Sequence, residues 1–187
     1  MSDFTHNNIQ GWCDYEDLYT RVVSEHLKDG NVAVEVGAWL GRSAAFFMSE
    51  LKRQGKNVKF YCVDLFAGEQ DDGYMNSVVA DNGGSILKLF EENMVKCGHG
   101  GCYTTIVGDS AGSASQFENC SLDFCFVDAN HSYENVKRDV LSWIPKMKKG
   151  SIMAGHDVDR PSVSSAVSDC FGITWQKISE RCWIRRF

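Results

Sequence analysis

The order of hydrophobic patterns along the chain predicts an α/β fold, a Rossmann-like doubly wound sheet. Three observations carry this. Short β-rich apolar runs alternate with longer stretches of helical period, five times in succession. Each of the five runs ends on a glycine or an acid, as a strand tip does where it turns toward a helix. The 187 residues suffice for one sizeable core, and they contain no repeat and no proline-rich linker, Pro145 and Pro161 being the two prolines.

Taken in order, residues 15–27 read as a helix that Asp29-Gly30 stops, and residues 31–36 as the first strand. A helix over 42–54 ends at Gly55, and residues 58–63 form the second strand. Residues 65–82 are polar, acidic and poorly periodic, and read as a long excursion above the strand ends, part of which could be helical. Ile86, Leu87, Leu89, Phe90 and Met94 give 85–96 a helical face, and 103–107 follows as the third strand. A short helix over 111–117 leads to the fourth strand, 122–127. Ser132 is placed to cap a helix over 133–147, Glu134 suits its first turn, and Pro145 should kink or end it. The fifth strand covers 151–154 and the next helix 163–170. Residues 173–178 and 182–186 close the chain as a hairpin. Residues 1–30 are thus an N-terminal segment and helix leading into the main domain, 31–187.

A net charge of −6 argues against a phosphate-gripping surface, so nucleic acid is not the expected partner. Arg181, Arg185 and Arg186 read as a solvated edge strand. No apolar run reaches membrane-spanning length, and Met1-Ser2-Asp3-Phe4 lacks the basic-then-apolar start of a signal peptide. No membrane association and a cytoplasmic location are expected. The eight cysteines then fit free thiols, Cys62 and Cys125 inside buried strands. Cys97-Gly-His99-Gly-Gly-Cys102 has a metal-like look but no second pair at zinc spacing, so it reads as a glycine-rich turn.

Ligands of doubly wound sheets sit beyond the carboxyl ends of the strands, where strand order reverses. The first strand runs into Glu35-Val36-Gly37-Ala38-Trp39-Leu40-Gly41-Arg42-Ser43. Gly37 permits a sharp turn with exposed backbone, and Gly41 close packing as the helix begins. This spacing differs from both the dinucleotide fingerprint and the phosphate-binding P-loop. Asp64 ends the second strand, placed to accept hydrogen bonds from a ribose diol or to cap a helix. Gly108-Asp109-Ser110 ends the third, a polar tip that faces the same crevice, caps the following short helix, or does both. The fourth and fifth strands end in Asp128-Ala129-Asn130-His131 and Gly155-His156-Asp157, two acid–histidine pairs expected side by side.

Together these stretches resemble the class I S-adenosylmethionine-dependent methyltransferases, in particular the small macrocin and sugar O-methyltransferase-like family. The resemblance spans about residues 31–160 and is most specific from Phe126 to Asp157. It implies a seven-stranded sheet with an antiparallel last strand and S-adenosylmethionine as cofactor. It further implies that Gly37 and Gly41 line the methionine moiety, Glu35 supports their loop, Asp64 holds the ribose, and Asp109 and Ser110 border the adenine. Ser43 and Asp128 complete the cofactor-binding set. The implied activity is O-methylation of a small hydroxylated acceptor, with His131 and His156 as candidate bases. Mg²⁺ held by Asp128 and Asp157 is the other route to an activated hydroxyl, although His156-Asp157 departs from the acid pair of metal-dependent relatives. Phe66, Tyr74 and Met75 are candidates for a cover over the acceptor. A homodimer is compatible with this reading. The alternative is a non-catalytic cofactor-binding partner protein that retains the fold.

Overall fold

The computed structural model describes residues 4–68 and 73–187. Seven strands form one sheet in the order β3-β2-β1-β4-β5-β7-β6. The strands are β1 (Val32–Val36), β2 (Lys59–Asp64), β3 (Thr104–Val107), β4 (Leu122–Val127), β5 (Met147–Gly155), β6 (Gln176–Lys177) and β7 (Trp183–Arg186). β1 to β5 are parallel, and β7 runs antiparallel between β5 and β6, as the C-terminal hairpin requires. Among the described residues the helices are α1 (Glu16–Arg21), α2 (Arg42–Arg53), α3 (Gly73–Asp81), α4 (Leu87–Lys96), α5 (Ser110–Ser113), α6 (Tyr133–Trp143) and α7 (Pro161–Phe171). None of the described helices is long and apolar enough to cross a membrane.

Both faces of the parallel strands are covered, which is why those strands read as continuous apolar runs. On one face Phe124 and Phe126 meet Tyr19, Phe47 and Phe60, with α1, α2 and α4 above them. On the other, Val34, Cys125 and Met153 meet Val140 and Trp143 of α6 and Val167 of α7. Tyr15 and Tyr19 fix the N-terminal segment to the sheet, their rings 4.5 and 4.9 Å from that of Phe126.

Several boundaries differ from the sequence reading. The helix expected over 15–27 is α for six residues and then widens to a π-turn over Val22–His26. α6 begins on Ser132, whose hydroxyl accepts from the Asn135 N–H, and ends at Trp143 in a 3-10 turn containing Pro145. β5 starts at Met147, four residues early. Lys148-Lys149-Gly150 looks like a turn, but a bulge opposite Leu122 and Phe124 and the positive φ of Gly150 keep the strand paired. The excursion after β2 contains α3, and residues 69–72 within the expected span lie outside the described residues. Phe66 is no part of any cover: it is fully buried against the Phe90 ring.

Candidate active site

Neighbours of β1 lead to β2 on one side and to β4 on the other, so strand order reverses between β1 and β4. At that point the backbones nearly touch. A Cβ on Gly37, whose φ is +94°, would lie 2.0 Å from the Asp128 carbonyl oxygen. Above it opens a cleft of about 780 Å³, lined by the tips of all five parallel strands and by Gly11, Trp12 and Tyr15. Of the expected residues, Gly37, Ser43, Asp64, Asp109, Ser110, Asp128, His131, His156 and Asp157 line this cleft. Glu35 lies buried beneath it. Gly41 faces the core instead, where a Cβ would meet the Phe90 ring at 2.9 Å.

At the β1–β3 end, main-chain groups hold the acids. Asp64 accepts from the N–H of Trp39 at 2.8 Å and of Phe66 at 2.7 Å, and so ties the β1 and β2 loops together. Trp39 and Phe66 both sit at positive φ, an arrangement that costs energy and that these bonds over-determine. Asp109 caps α5 through the Gly112 N–H and pairs with Arg138. Ser110 accepts from the Trp143 indole N–H at 3.2 Å. Both expected roles of the β3 tip, cap and cleft wall, therefore coexist.

Burial pushes the Glu35 carboxyl up to about 7, although the Ser43 and Tyr19 hydroxyls draw it down. Tyr19 donates to Oε1 at 2.9 Å, and Oε2 is buried without a partner at full hydrogen-bonding geometry. Trp39 Nε1 and Arg42 Nε are likewise buried and unpaired. Two orphan donors and one orphan acceptor thus surround the β1 loop. They fit the ammonium and carboxylate of an amino-acid moiety, as S-adenosylmethionine carries.

At the β4–β5 end, side chains hold one another. Asp128 Oδ2 accepts from the Tyr15 hydroxyl at 3.1 Å. His156 Nδ1 lies 3.2 Å from Asp157 Oδ2 and 3.6 Å from Asp128 Oδ1. Its Nε2 is 2.6 Å from Asp14 Oδ1, an ionic contact at an angle unsuited to a hydrogen bond. Burial disfavours charge on this imidazole, but bonds to Asp128 and Asp157 outweigh it and push it up to about 10. The carboxylates around His156 thus favour its protonated form, which suits it less than His131 to act as a base.

His131 differs. Its Nε2 is 2.8 Å from Asp157 Oδ2, and its side chain is 34% exposed at the cleft mouth. Asp157 fixes the ring with Nε2–H donating, which leaves Nδ1 as the acceptor. Burial works to raise the Asp157 carboxyl, yet hydrogen bonds from His131 and His156 hold it well below the usual carboxylate range. Arg160 at 3.2 Å and Arg181 complete its shell.

Asp128, His131 and Asp157 can each bring one ligand atom within 4.8 Å of the others. The arrangement nevertheless does not fit Mg²⁺. Oδ1 of Asp157 is taken by two guanidiniums and Oδ2 by two imidazoles, so the chain's own donors already occupy the carboxylate a hard dication would need.

Sequence reading missed Tyr15, Asp14, Arg160 and Arg181. Arg181 is no solvated edge residue: Gly155 pairs with Trp183, which sets Arg181 beside the β5 tip. The hairpin signal could have located it. The Cys97–Cys102 stretch is a turn as expected, with His99 buried against the Ser49 hydroxyl at 3.0 Å.

The strand order, the antiparallel β7 and a cleft at the β1–β4 switch define a class I S-adenosylmethionine-dependent methyltransferase. The chain belongs to the family described as "Methyltransferase domain", whose model matches residues 34–158. No curated protein matches it by sequence. Among solved structures it is similar to the O-methyltransferase NovP, at 16% identity over 91% of this chain and 78% of that one, with a TM-score of 0.69. It is also similar to CalS11, a TDP-rhamnose 3'-O-methyltransferase of calicheamicin biosynthesis, at 18% identity over 92% and 76%, TM-score 0.58. A third is an S-adenosylmethionine-dependent O-methyltransferase from Thermotoga maritima, at 13% identity over 96% and 66%, TM-score 0.65. At such identities the likeness is one of fold.

Proposed function

We propose that this chain transfers a methyl group from S-adenosylmethionine to a hydroxyl of a small acceptor, with His131 as the general base. The observation that carries the reading is the His131–Asp157 pair at the mouth of the cleft. The cofactor lies at the β1–β3 end: Gly37, Ser43, Trp39 and Arg42 around its amino-acid moiety, Glu35 beneath, Asp64 on the ribose, Asp109 and Ser110 at the adenine. Bound S-adenosylmethionine supplies an electrophilic sulfonium methyl. Asp128, held by Tyr15 and His156, borders both halves of the cleft and can orient the acceptor hydroxyl. The hydroxyl loses its proton to Nδ1 of His131 while Asp157 stabilises the imidazolium that forms, and placement of the oxygen in line with the methyl supplies much of the acceleration. The likeness in fold to a TDP-rhamnose 3'-O-methyltransferase and the net charge of −6 favour a small molecule over nucleic acid.

The test is twofold. Calorimetry with S-adenosylhomocysteine and with NAD should show binding of the first alone. Release of S-adenosylhomocysteine should then depend on a hydroxylated acceptor and persist in chelator. Tighter binding of NAD would remove the cofactor assignment, and activity restored only by Mg²⁺ would move the proton-removal step from His131 to a metal. Binding without turnover across a broad acceptor panel would favour the non-catalytic alternative.

A further inference from the structure

The arginines that line the cleft, Arg42, Arg138, Arg160 and Arg181, are not engaged alike. Arg42 commits its terminal nitrogens to the N-terminal segment, at the carbonyls of Ile9 and Gly11 and the side chain of Asn7. Arg181 uses every guanidinium nitrogen, Nη1 with Asp14, Nη2 with Asp157 and Nε with Asp159. Arg138 pairs with Asp109 at the cofactor end. Arg160 differs. Its Nε lies 3.2 Å from Asp157 Oδ1, and among the described residues neither terminal nitrogen has a partner. The side chain is 51% exposed and lines the cleft. The outer edge of a guanidinium presents two parallel N–H groups, spaced for two oxygens of one oxyanion.

This arginine stands beside the base and apart from the groups given to the cofactor. Arg160 holds Oδ1 of the carboxylate whose Oδ2 holds His131 Nε2. A second link runs through the start of α7, where the Ser162 hydroxyl donates to the His131 carbonyl at 2.7 Å. The charge of the wall suits an anion. Of this network's members that line the cleft, Asp128 and Asp157 face Arg160, Arg181 and His156, whose charged form those acids favour. Asp14 and Asp159 offset part of Arg181, but neither lines the cleft. A few polar groups placed in a cleft wall fix the orientation of its ligand. Resting on the methyl-transfer reading above, we propose that the acceptor carries an oxyanion, a carboxylate or a phosphate, which docks on the outer edge of Arg160 and brings a neighbouring hydroxyl to His131.

The probes are inorganic phosphate and acetate, titrated into protein saturated with S-adenosylhomocysteine, with the His131 ring signals followed by NMR. At least one anion should shift those signals saturably, and the tighter of the two identifies the group the acceptor carries. Arg160→Ala should weaken that binding by about tenfold or more, Arg160→Lys should restore part of it, and Arg138→Ala should leave it unchanged. In turnover, hydroxy acids or hydroxyalkyl phosphates should exceed their neutral methyl esters by about tenfold in kcat/KM, mainly through KM. Arg160→Ala should remove that preference, which loss of a merely structural ion pair would not do. Silent His131 signals, anion binding indifferent to Arg160→Ala, or neutral esters that serve equally well would overturn the assignment. Anion binding that depends on Arg160 in a protein without affinity for S-adenosylhomocysteine would leave the anion site standing and remove the methyl-transfer reading instead.

Discussion

The two ends of the cleft are built differently. At the tips of β1, β2 and β3 the acids are anchored largely by nearby main chain: Asp64 by the N–H groups of Trp39 and Phe66, Asp109 by that of Gly112. At the tips of β4 and β5 they are anchored by side chains from distant segments. Tyr15 and Asp14 come from the N-terminal segment and Arg181 from the hairpin, and all meet around Asp128, His156 and Asp157. The first end is a preorganised frame with little freedom to rearrange. The second is a charge network whose state depends on pH and on every member. One end suits constant binding of a cofactor; the other can hold, exchange and tune a proton.

The largest effect expected is at the frame. Gly37→Ala forces a Cβ onto the Asp128 carbonyl at a φ of +94°, two separate penalties. A loss of at least ~3 kcal/mol of stability should appear in denaturant unfolding. A mutant as stable as the parent would mean that the β1 and β4 tips do not approach as described. Next, on the network side, His131→Ala should lower turnover by about 10²–10⁴-fold while calorimetric affinity for S-adenosylhomocysteine stays nearly constant. Unchanged turnover would dissolve the division of labour between the two ends. Asp64→Ala should do the converse, weakening cofactor binding by about 1–3 kcal/mol. It also frees the Trp39 and Phe66 N–H groups, so Asp64→Asn, which keeps one acceptor, should lose less.

The smallest effect is one of slope. The His156 imidazole is raised from 6.5 to about 10 in the folded state, so the folded protein holds that proton where the unfolded chain has released it. Its contribution is complete below about pH 6.5 and disappears as pH rises through about 10. Stability should therefore decline across that window, by no more than about 1.4 kcal/mol per pH unit for one proton. His156→Gln should flatten the decline. A parent protein equally stable at both ends of the window would show that the network does not hold His156 charged.

Legibility in the sequence follows the same division. The five strand–helix units, the C-terminal hairpin, Ser132 as a cap and Pro145 as a stop rest on periodicity and local backbone chemistry, which neighbouring residues encode. So do Gly37, Asp64 and the β3 tip, because strand ends and their turns lie within a few residues of one another. Phe66 was misleading for a related reason: a loop aromatic two residues past a strand tip can face either way, and only the Phe90 ring beneath it decides.

What tertiary structure alone decided is which charges share a site. The sequence offers both His131 and His156 as bases, each beside an acid past a strand, and prefers His131 only for its expected place over the mouth beside Asp128. The fold separates them by burial: His156 sits between Asp14, Asp128 and Asp157, which favour its charged form, while the His131 side chain stays 34% exposed beside Asp157. It also recruits Arg181 across the β5–β7 pairing and so closes Asp157 to a dication. Secondary structure and its turns are written in local spacing. Protonation and metal affinity depend on charges brought within a few ångströms from residues as far apart as 14, 128, 157 and 181, and that distance exists only once the chain has folded.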